Sequence, residues 1–283
     1  MNMSQEMNSN VEKSRIGRRD FIRKTIALAG GVSVVAGASA SGFGIGGEGL
    51  PQPKTGIVAD FVKYKGASGE MKAFEARPNR EGKFPAVIVV HENRGLQPHI
   101  QEVTKRMAQE GFLALAPDGL SPQGGTPEND DEKARTMITN LNRETTIKDF
   151  VAAVEYLKTH PRSTGKVGCT GFSWGGAMTN YVAVNSPDLL AAVPYYGSQP
   201  PAPEVTKIKA SMLLHYAEND SRINMGIPQY EEALRKANVQ FTTFIYPGTS
   251  HAFNNDTNPD RYNKEAATLA WKRTVDFFKE KLK

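Results

Sequence analysis

The chain has 283 residues, 39% of them hydrophobic and 23% charged, which is enough for one large α/β domain or two small ones. Its net charge is +5 and its pI is near 9.1, but six cations and three acids in residues 1–40 account for +3 of that charge. The remainder carries only +2 and no stripe of lysines and arginines interleaved with aromatics, which argues against a nucleic-acid partner.

Residues 1–40 have the pattern of an export signal. The stretch GRRDFIRK carries Arg18 and Arg19 as a pair, and the apolar run after it ends in the small residues Ala38 and Ala40. The paired arginines resemble the twin-arginine signal, which directs folded proteins to the twin-arginine export machinery of the bacterial inner membrane. An uncleaved membrane anchor is the alternative, but glycines interrupt the run and it falls short of the ~20 residues that a span needs. We therefore expect a periplasmic or otherwise exported protein without a stable membrane span.

A flexible linker and then a single domain are expected after the signal. Residues 41–56 are rich in glycine and proline, which is typical of a linker, so the domain is placed at residues 57–283. It begins with two alternating segments, IVADFVKYK and EMKAFEARP, joined by the turn-rich GASG. This pattern predicts an antiparallel hairpin.

The rest of the domain alternates between short apolar runs and helical segments. The runs are typical of strands buried on both faces and cover residues 84–91, 111–117, 166–172, 190–197, 208–216 and 240–247. The helical segments cover residues 98–111, 130–161, 174–185, 227–238 and 263–283. Such alternation predicts a mostly parallel sheet with helices on both faces, and a ligand site at the carboxyl ends of the strands.

Ser173 lies among glycines in GCTGFSWGGAMTN, between a predicted strand and a predicted helix. This is the context of a nucleophile elbow, where a sharp turn needs glycines such as Gly171 and Gly175 because side chains would collide. The helix that follows would direct its free N–H groups at a developing oxyanion. Cys169, the only cysteine, allows no intramolecular disulfide and is expected to be a buried, inert thiol.

A serine nucleophile needs a base, and the base needs an acid to orient it. Among the five histidines, His251 is the one that follows a predicted strand in a loop at the expected catalytic edge, in GTSHAF. For the acid, the segment HYAENDSRIN offers Glu218 and Asp220. Either choice gives the chain order serine, acid, histidine, which is that of α/β-hydrolases.

Five segments together carry a resemblance to a known family: HENRG at 91–95, APDGL at 116–120, GFSWGG at 171–176, AENDSRI at 217–223 and SHAF at 250–253. With them the chain resembles the dienelactone hydrolase family of α/β-hydrolases over nearly everything from residue 57 onward. The resemblance implies the α/β-hydrolase fold, with a mostly parallel sheet, an N-terminal antiparallel hairpin and helices on both faces. It also implies the hydrolysis of small carboxylic esters or lactones.

The resemblance also assigns roles to residues of this chain. It places the nucleophile on Ser173, the acid on Asp220 and the base on His251. The family's acid follows a G-x-x-D pattern, here AEND, which selects Asp220 over Glu218. The oxyanion hole falls on the backbone N–H groups of Asn93 and Trp174.

Departures from the family concern activation and substrate. The best-known members carry cysteine at the position of Ser173, so the family glutamate's role in activating a thiol does not transfer to Glu92. The alternative is a structural role for Glu92, as a buried carboxylate bonded to Arg94 or to backbone. The two arginines that hold the substrate carboxylate in those members have no counterpart in GLSPQGG or AFNND. Arg94 lies beside the expected oxyanion hole, but an ion pair with Glu92 or a surface position is its favoured interpretation. We therefore expect a preference for neutral or weakly anionic substrates.

The sequence thus predicts an exported serine hydrolase that cleaves small esters or lactones through an acyl-enzyme, with water as second substrate. No cofactor is expected, and the histidines and carboxylates show no metal-binding spacing. A peptidase or acyl transferase on the same triad is the alternative among enzymes. A catalytically silent binding protein is the alternative outside them, although it would be expected to have lost a triad member. A dehalogenase would need a carboxylate in place of Ser173. Residues 121–142 are expected to border the pocket.

Overall fold

An eight-stranded sheet runs through residues 56–283, the part of the chain that this computed structural model describes. The strands are β1 (Ile57–Lys65), β2 (Glu70–Pro78), β3 (Phe84–Val90), β4 (Leu113–Pro117), β5 (Ser163–Phe172), β6 (Leu189–Tyr195), β7 (Ser211–Asn219) and β8 (Phe241–Ser250). Their order across the sheet is β1-β2-β4-β3-β5-β6-β7-β8. β1 pairs with β2 antiparallel, as does β2 with β4, and all other neighbours are parallel. The predicted mostly parallel sheet and its N-terminal hairpin are therefore confirmed.

Helices cover both faces of the sheet. They are α1 (Pro98–Gln109), α2 (Asp131–Thr139), α3 (Arg143–Thr159), α4 (Trp174–Asn185), α5 (Ser221–Asn224), α6 (Ile227–Lys236) and α7 (Lys264–Lys281), with short 3₁₀ turns at Ser121–Gln123 and Ala202–Lys207. The predicted helical segment 130–161 forms two helices instead of one. The chain breaks at Asn140, and the Asn142 side chain then accepts a hydrogen bond from the Thr145 N–H to cap the second helix.

Two apolar layers hold these helices to the sheet. Along β3, Ile88 and Val90 belong to the layer under α3, α4 and α6, whereas Val87 and Val89 belong to the layer under α1 and α7. Successive side chains of a strand point to opposite faces, so a strand covered on both sides has to be apolar throughout. This explains the continuous apolar runs of the sequence.

The predicted export signal at residues 1–40 lies outside the described residues, as does nearly all of the predicted linker at residues 41–56. Both stay predictions. Within residues 56–283, none of the helices is long and apolar enough to cross a membrane.

Candidate active site

Ser173 occupies a sharp turn between β5 and α4. Its backbone has φ 56° and ψ −111°, a left-handed conformation that is strained for a residue with a side chain. The flanking glycines make the turn sterically feasible. A Cβ on Gly171 would lie 2.3 Å from the Gly175 carbonyl oxygen, and a Cβ on Gly175 would lie 2.4 Å from the His91 carbonyl oxygen. The structure therefore has the strand, strained turn and helix that the sequence predicts for a nucleophile elbow.

The structure brings Ser173, His251 and Asp220 into one hydrogen-bonded chain. Ser173 Oγ lies 2.8 Å from His251 Nε2, and His251 Nδ1 lies 2.5 Å from Asp220 Oδ2. The Asp220 side chain is only 7% exposed, and that of His251 is 21% exposed. Since a carboxylate only accepts, Nδ1 carries the ring hydrogen, and Nε2 is free to accept the serine hydroxyl hydrogen. The arrangement can therefore take a proton from Ser173.

Glu218, the other acid considered for this role, is bound elsewhere. Its Oε2 accepts a hydrogen bond of 2.8 Å from the Gly248 N–H, and the side chain is exposed. Glu218 thus supports the end of β8 just before His251 and makes no hydrogen bond to the imidazole. The geometry favours Asp220, as the AEND pattern indicates.

Two free backbone N–H groups lie beside Ser173. Asn93 and Trp174 line the same cleft as the serine, and within the described residues neither N–H donates to a protein acceptor. Trp174 is the first residue of α4, where the helix dipole adds positive potential. Both N–H groups are therefore available to an acceptor in the cleft.

The loop that carries Asn93 is anchored by the loop after β4. Thr126 Oγ1 accepts from the Leu96 N–H at 2.8 Å and donates to Asp118 Oδ1 at 2.8 Å. Gly95, with φ 76°, passes so close to Thr126 that a Cβ there would lie 2.2 Å from Oγ1. Asp118, from the APDGL motif, thus supports the loop of Asn93 through one threonine. This link could not be predicted, because Thr126 lies in no recognisable motif.

A cleft of about 460 Å³ opens over Ser173. Ile138, Thr139 and Leu141 form part of its wall, so the expectation that residues 121–142 border the pocket is confirmed. The lining contains two arginines and no carboxylate: Arg143 from the start of α3 and Arg222 from α5. Neither has an ion-pair partner among the described residues, although the Arg143 guanidinium lies 4.5 Å from the centre of the Tyr181 ring.

The model of the dienelactone hydrolase family matches residues 71–282. The chain belongs to this family. A relative in Escherichia coli K12, provisionally named carboxymethylenebutenolidase, is 32% identical over 244 residues, which is 81% of this chain and 89% of the relative. One from Methylorubrum extorquens AM1, with the same provisional name, is 31% identical over 268 residues, 88% and 92% of the two chains.

The solved structures agree on the fold. A protein from Klebsiella pneumoniae, provisionally named dienelactone hydrolase, superimposes with a TM-score of 0.70 at 28% identity, covering 79% of this chain and 98% of that one. The α/β-hydrolase fold is therefore confirmed, and the chain is an enzyme of the dienelactone hydrolase type. The interpretation as a silent binding protein is set aside.

In the present chain, a member of the dienelactone hydrolase family, Glu92 and Arg94 do not form an ion pair with each other. Glu92 Oε2 accepts from Asn255 Nδ2 at 2.8 Å, whereas Arg94 pairs with Asp131 at 3.0 Å. Both Glu92 and Arg94 line a second pocket of about 230 Å³, next to the cleft of Ser173. The ion-pair interpretation was wrong because Asn255, 163 residues away in sequence, reaches Glu92 from the loop that follows His251. The other interpretation of Arg94, a surface position, agrees with its 40% exposed side chain.

The expectation of neutral substrates stays a prediction, but its premise was incomplete. It depended on the missing arginines in GLSPQGG and AFNND, but Arg143 and Arg222 enter the cleft from other elements. Sequence reasoning missed Arg143 because α3 approaches Ser173 only through the tertiary fold. A sequence signal for Arg222 did exist, because this arginine lies two residues after Asp220 in the AENDSRI segment. Tyr196 was missed as well: it lines the cleft at φ 36°, with its ring centre 5.0 Å from that of His251.

Two buried side chains of the sheet lie outside the hydrogen-bonded chain of Ser173, His251 and Asp220. Cys169 is fully buried, as expected, and burial raises the pKa of its thiol to about 12, which disfavours the reactive thiolate. His215 is fully buried within β7 between Tyr246 and Thr274, and burial holds its pKa well below the usual value. Within residues 56–283 no three histidine, cysteine or acidic side chains are grouped as metal ligands would be.

Proposed function

We propose that this protein hydrolyses small carboxylic esters or lactones by a Ser173-His251-Asp220 triad and an acyl-enzyme. The observation that carries the proposal is the continuous hydrogen-bonded chain from Asp220 through His251 to Ser173 at a strained elbow. A serine hydroxyl becomes nucleophilic when a base takes its proton, and the base acts best when an acid fixes its tautomer. The family membership supports the same reaction type.

In acylation, Ser173 Oγ forms a bond to the substrate carbonyl carbon while His251 Nε2 takes the hydroxyl proton. The carbonyl oxygen becomes an oxyanion, which the N–H groups of Asn93 and Trp174 stabilise. The intermediate then collapses, the alcohol oxygen leaves, and His251 returns the proton to it. In a lactone the alcohol stays attached to the acyl group as a free hydroxyl.

In deacylation, water takes the place of the alcohol. His251 removes a proton from the water as its oxygen bonds to the acyl carbon, and the second tetrahedral intermediate expels Ser173 Oγ. The proton on His251 passes to the serine, and the carboxylic acid is released. Asp220 stays ionised and orients the ring throughout. No cofactor enters this reaction.

The charge of the cleft supports a substrate that carries an anionic group besides the scissile ester. Arg143 and Arg222 give the lining two positive charges with no carboxylate to balance them. Arginine binds carboxylates through paired N–H donors, which compensates the loss of hydration. This differs from the neutral substrates expected from the sequence. A peptidase or acyl transferase would use the same triad, so amide substrates and added alcohols are the appropriate controls.

A fluorophosphonate tests the nucleophile, because it forms a stable bond only with an activated serine. Peptide mass mapping of the labelled protein should place one label on Ser173. Incubation with substrate should slow the labelling. A label on another residue would contradict the proposed mechanism.

We also propose export by the twin-arginine pathway, from Arg18 and Arg19 in residues 1–40. Replacement of both by lysine retains the charge and should leave the protein in the cytoplasm of a bacterial host. Unchanged recovery of the double variant from the periplasm would contradict this localisation.

A further inference from the structure

His91 is a fully buried histidine at the carboxyl end of β3 that the proposed mechanism does not use. Its Nδ1 lies 2.7 Å from the Glu92 carbonyl oxygen, and its Nε2 lies 3.0 Å from the Gly119 backbone nitrogen. A backbone N–H only donates, so Nε2 accepts and Nδ1 carries the hydrogen donated to Glu92. The two contacts select one tautomer of the neutral ring. Burial lowers the pKa of His91, which also favours the neutral ring.

The carbonyl that His91 binds belongs to the same peptide group as the Asn93 N–H. In a trans peptide the C=O and N–H point in opposite directions, so holding the Glu92 oxygen on one side fixes where the Asn93 N–H points on the other. A hydrogen bond accepted by the carbonyl also polarises the amide and makes its N–H a better donor. Asn93 lines the cleft with Ser173, and its N–H is free within the described residues.

The His91 ring also contacts the residue that would supply the second oxyanion donor. It stacks on the Trp174 indole with ring centres 5.1 Å apart and planes 8° apart. Gly119 allows the approach from the other side, since a Cβ there would lie 3.0 Å from His91 Nε2. One ring therefore contacts Trp174 and hydrogen-bonds the peptide group of Asn93.

We propose that His91 is a positioning residue for the oxyanion hole: its Nδ1–H orients and polarises the Glu92–Asn93 peptide group so that the Asn93 N–H binds the oxyanion. This role rests on the proposed serine hydrolase function. It predicts that changes at His91 affect the transition state more than the bound substrate, and therefore lower kcat more than they change KM.

The test compares His91→Asn with His91→Gln. The asparagine amide nitrogen can take the place of Nδ1 and still donate to the Glu92 carbonyl. The glutamine amide oxygen can instead reach the place of Nε2 and accept from the Gly119 N–H, which leaves the Glu92 carbonyl only the longer hydrogen bond of 3.3 Å from the Gly95 N–H. The readouts are kcat and KM for p-nitrophenyl acetate, Tm, and inhibition by phenylboronic acid, which forms a tetrahedral anion on an active serine.

Removal of a whole oxyanion donor lowers kcat by about 10²–10³-fold, and here a donor is misdirected and weakened. We expect His91→Gln to lose about 10- to 100-fold in kcat and in boronate affinity, with KM within about threefold. His91→Asn should recover most of the loss at a similar Tm. If His91→Gln does not fold, His91→Phe replaces it, because phenylalanine keeps the ring face on Trp174 and loses both hydrogen bonds.

Two results would overturn this role: wild-type kcat in His91→Gln, or equal kcat losses in the asparagine and glutamine variants at equal Tm. Activity of Ser173→Ala, measured alongside, separates the two proposals. If Ser173→Ala is inactive and His91→Gln is fully active, only the role of His91 fails. Full activity in Ser173→Ala would overturn the serine mechanism and the role of His91 with it.

Discussion

Replacement of Asp220 by asparagine removes one negative charge and changes no volume. Asp220 Oδ2 makes the 2.5 Å contact with His251 Nδ1, and the side chain is only 7% exposed, so water gives the imidazole little compensation. Asparagine can present its oxygen to Nδ1, which keeps the tautomer but loses the charge that stabilises the imidazolium. It can instead present its NH₂ group, which forces the hydrogen onto Nε2 and prevents it from accepting the serine proton.

Either orientation should cost much activity. The same substitution in a serine protease triad lowers kcat by about 10⁴-fold, and we expect Asp220→Asn to lose about as much, or about 5.5 kcal/mol of transition-state stabilisation. The assay is the steady-state hydrolysis of p-nitrophenyl acetate, with the initial burst of p-nitrophenol as the measure of acylation. The burst should become slow enough to follow by hand mixing.

Glu218→Gln is the matched control, because Glu218 lies two residues away at the same end of β7. Its side chain is exposed and makes one hydrogen bond, to the Gly248 N–H, which glutamine can still accept through its amide oxygen. Its kcat should stay within about threefold of wild type. A larger loss in Glu218→Gln than in Asp220→Asn would show that the wrong acid was chosen. An Asp220→Asn variant with more than a tenth of wild-type kcat would refute the reasoning about the lost charge.

Three other predictions concern the cleft, the elbow and acid stability. A carboxylate-bearing ester should have a higher kcat/KM than its neutral analogue. Arg143→Gln or Arg222→Gln should reduce that preference about tenfold, which corresponds to about 1.4 kcal/mol. Arg94→Gln is the control and should leave the preference unchanged, because Arg94 lies outside this cleft. Gly175→Ala should lower the free energy of unfolding by about 3 kcal/mol, measured in urea, because its Cβ would collide with two carbonyl oxygens; a stable, active variant would contradict the packing. Burial holds the pKa of His215 well below the value of about 6.5 that it has in the unfolded chain, so protons bind preferentially to the unfolded state and stability should decrease as the pH is lowered below 6.5, by on the order of 1 kcal/mol at pH 5.5. Urea titrations of wild type and His215→Gln should show a shallower pH dependence in the variant, and equal slopes would contradict a neutral buried ring.

The sequence could predict what depends on local pattern. Continuous apolar runs indicated strands covered on both faces, and the glycines around Ser173 indicated a turn with no room for a Cβ. His251 was found because it directly follows a strand at the carboxyl edge of the sheet. The break between α2 and α3 was missed because buried positions continue on both sides of it, and only the cap at Asn142 marks the boundary.

What the sequence could not predict depends on contacts between distant loops. The Glu92 carboxylate meets Asn255 from 163 residues away, and no local pattern reports such a pairing. Arg143 was missed for the same reason, because no motif near Ser173, Asp220 or His251 contains it. The sequence favoured a purely structural role for His91, because this histidine ends a predicted strand. Its contacts with the peptide group of Asn93 and with Trp174 appear only in three dimensions.

The most direct test of the central claim is the mass of the protein during turnover. Wild-type protein mixed with p-nitrophenyl acetate and quenched in acid within the burst should carry one acetyl group, and peptide mapping should place it on Ser173. Ser173→Ala should show no adduct and no burst, with kcat lower by about 10³-fold or more. An acetyl group on another residue, or a Ser173→Ala variant that keeps its burst and its activity, would contradict the serine acyl-enzyme.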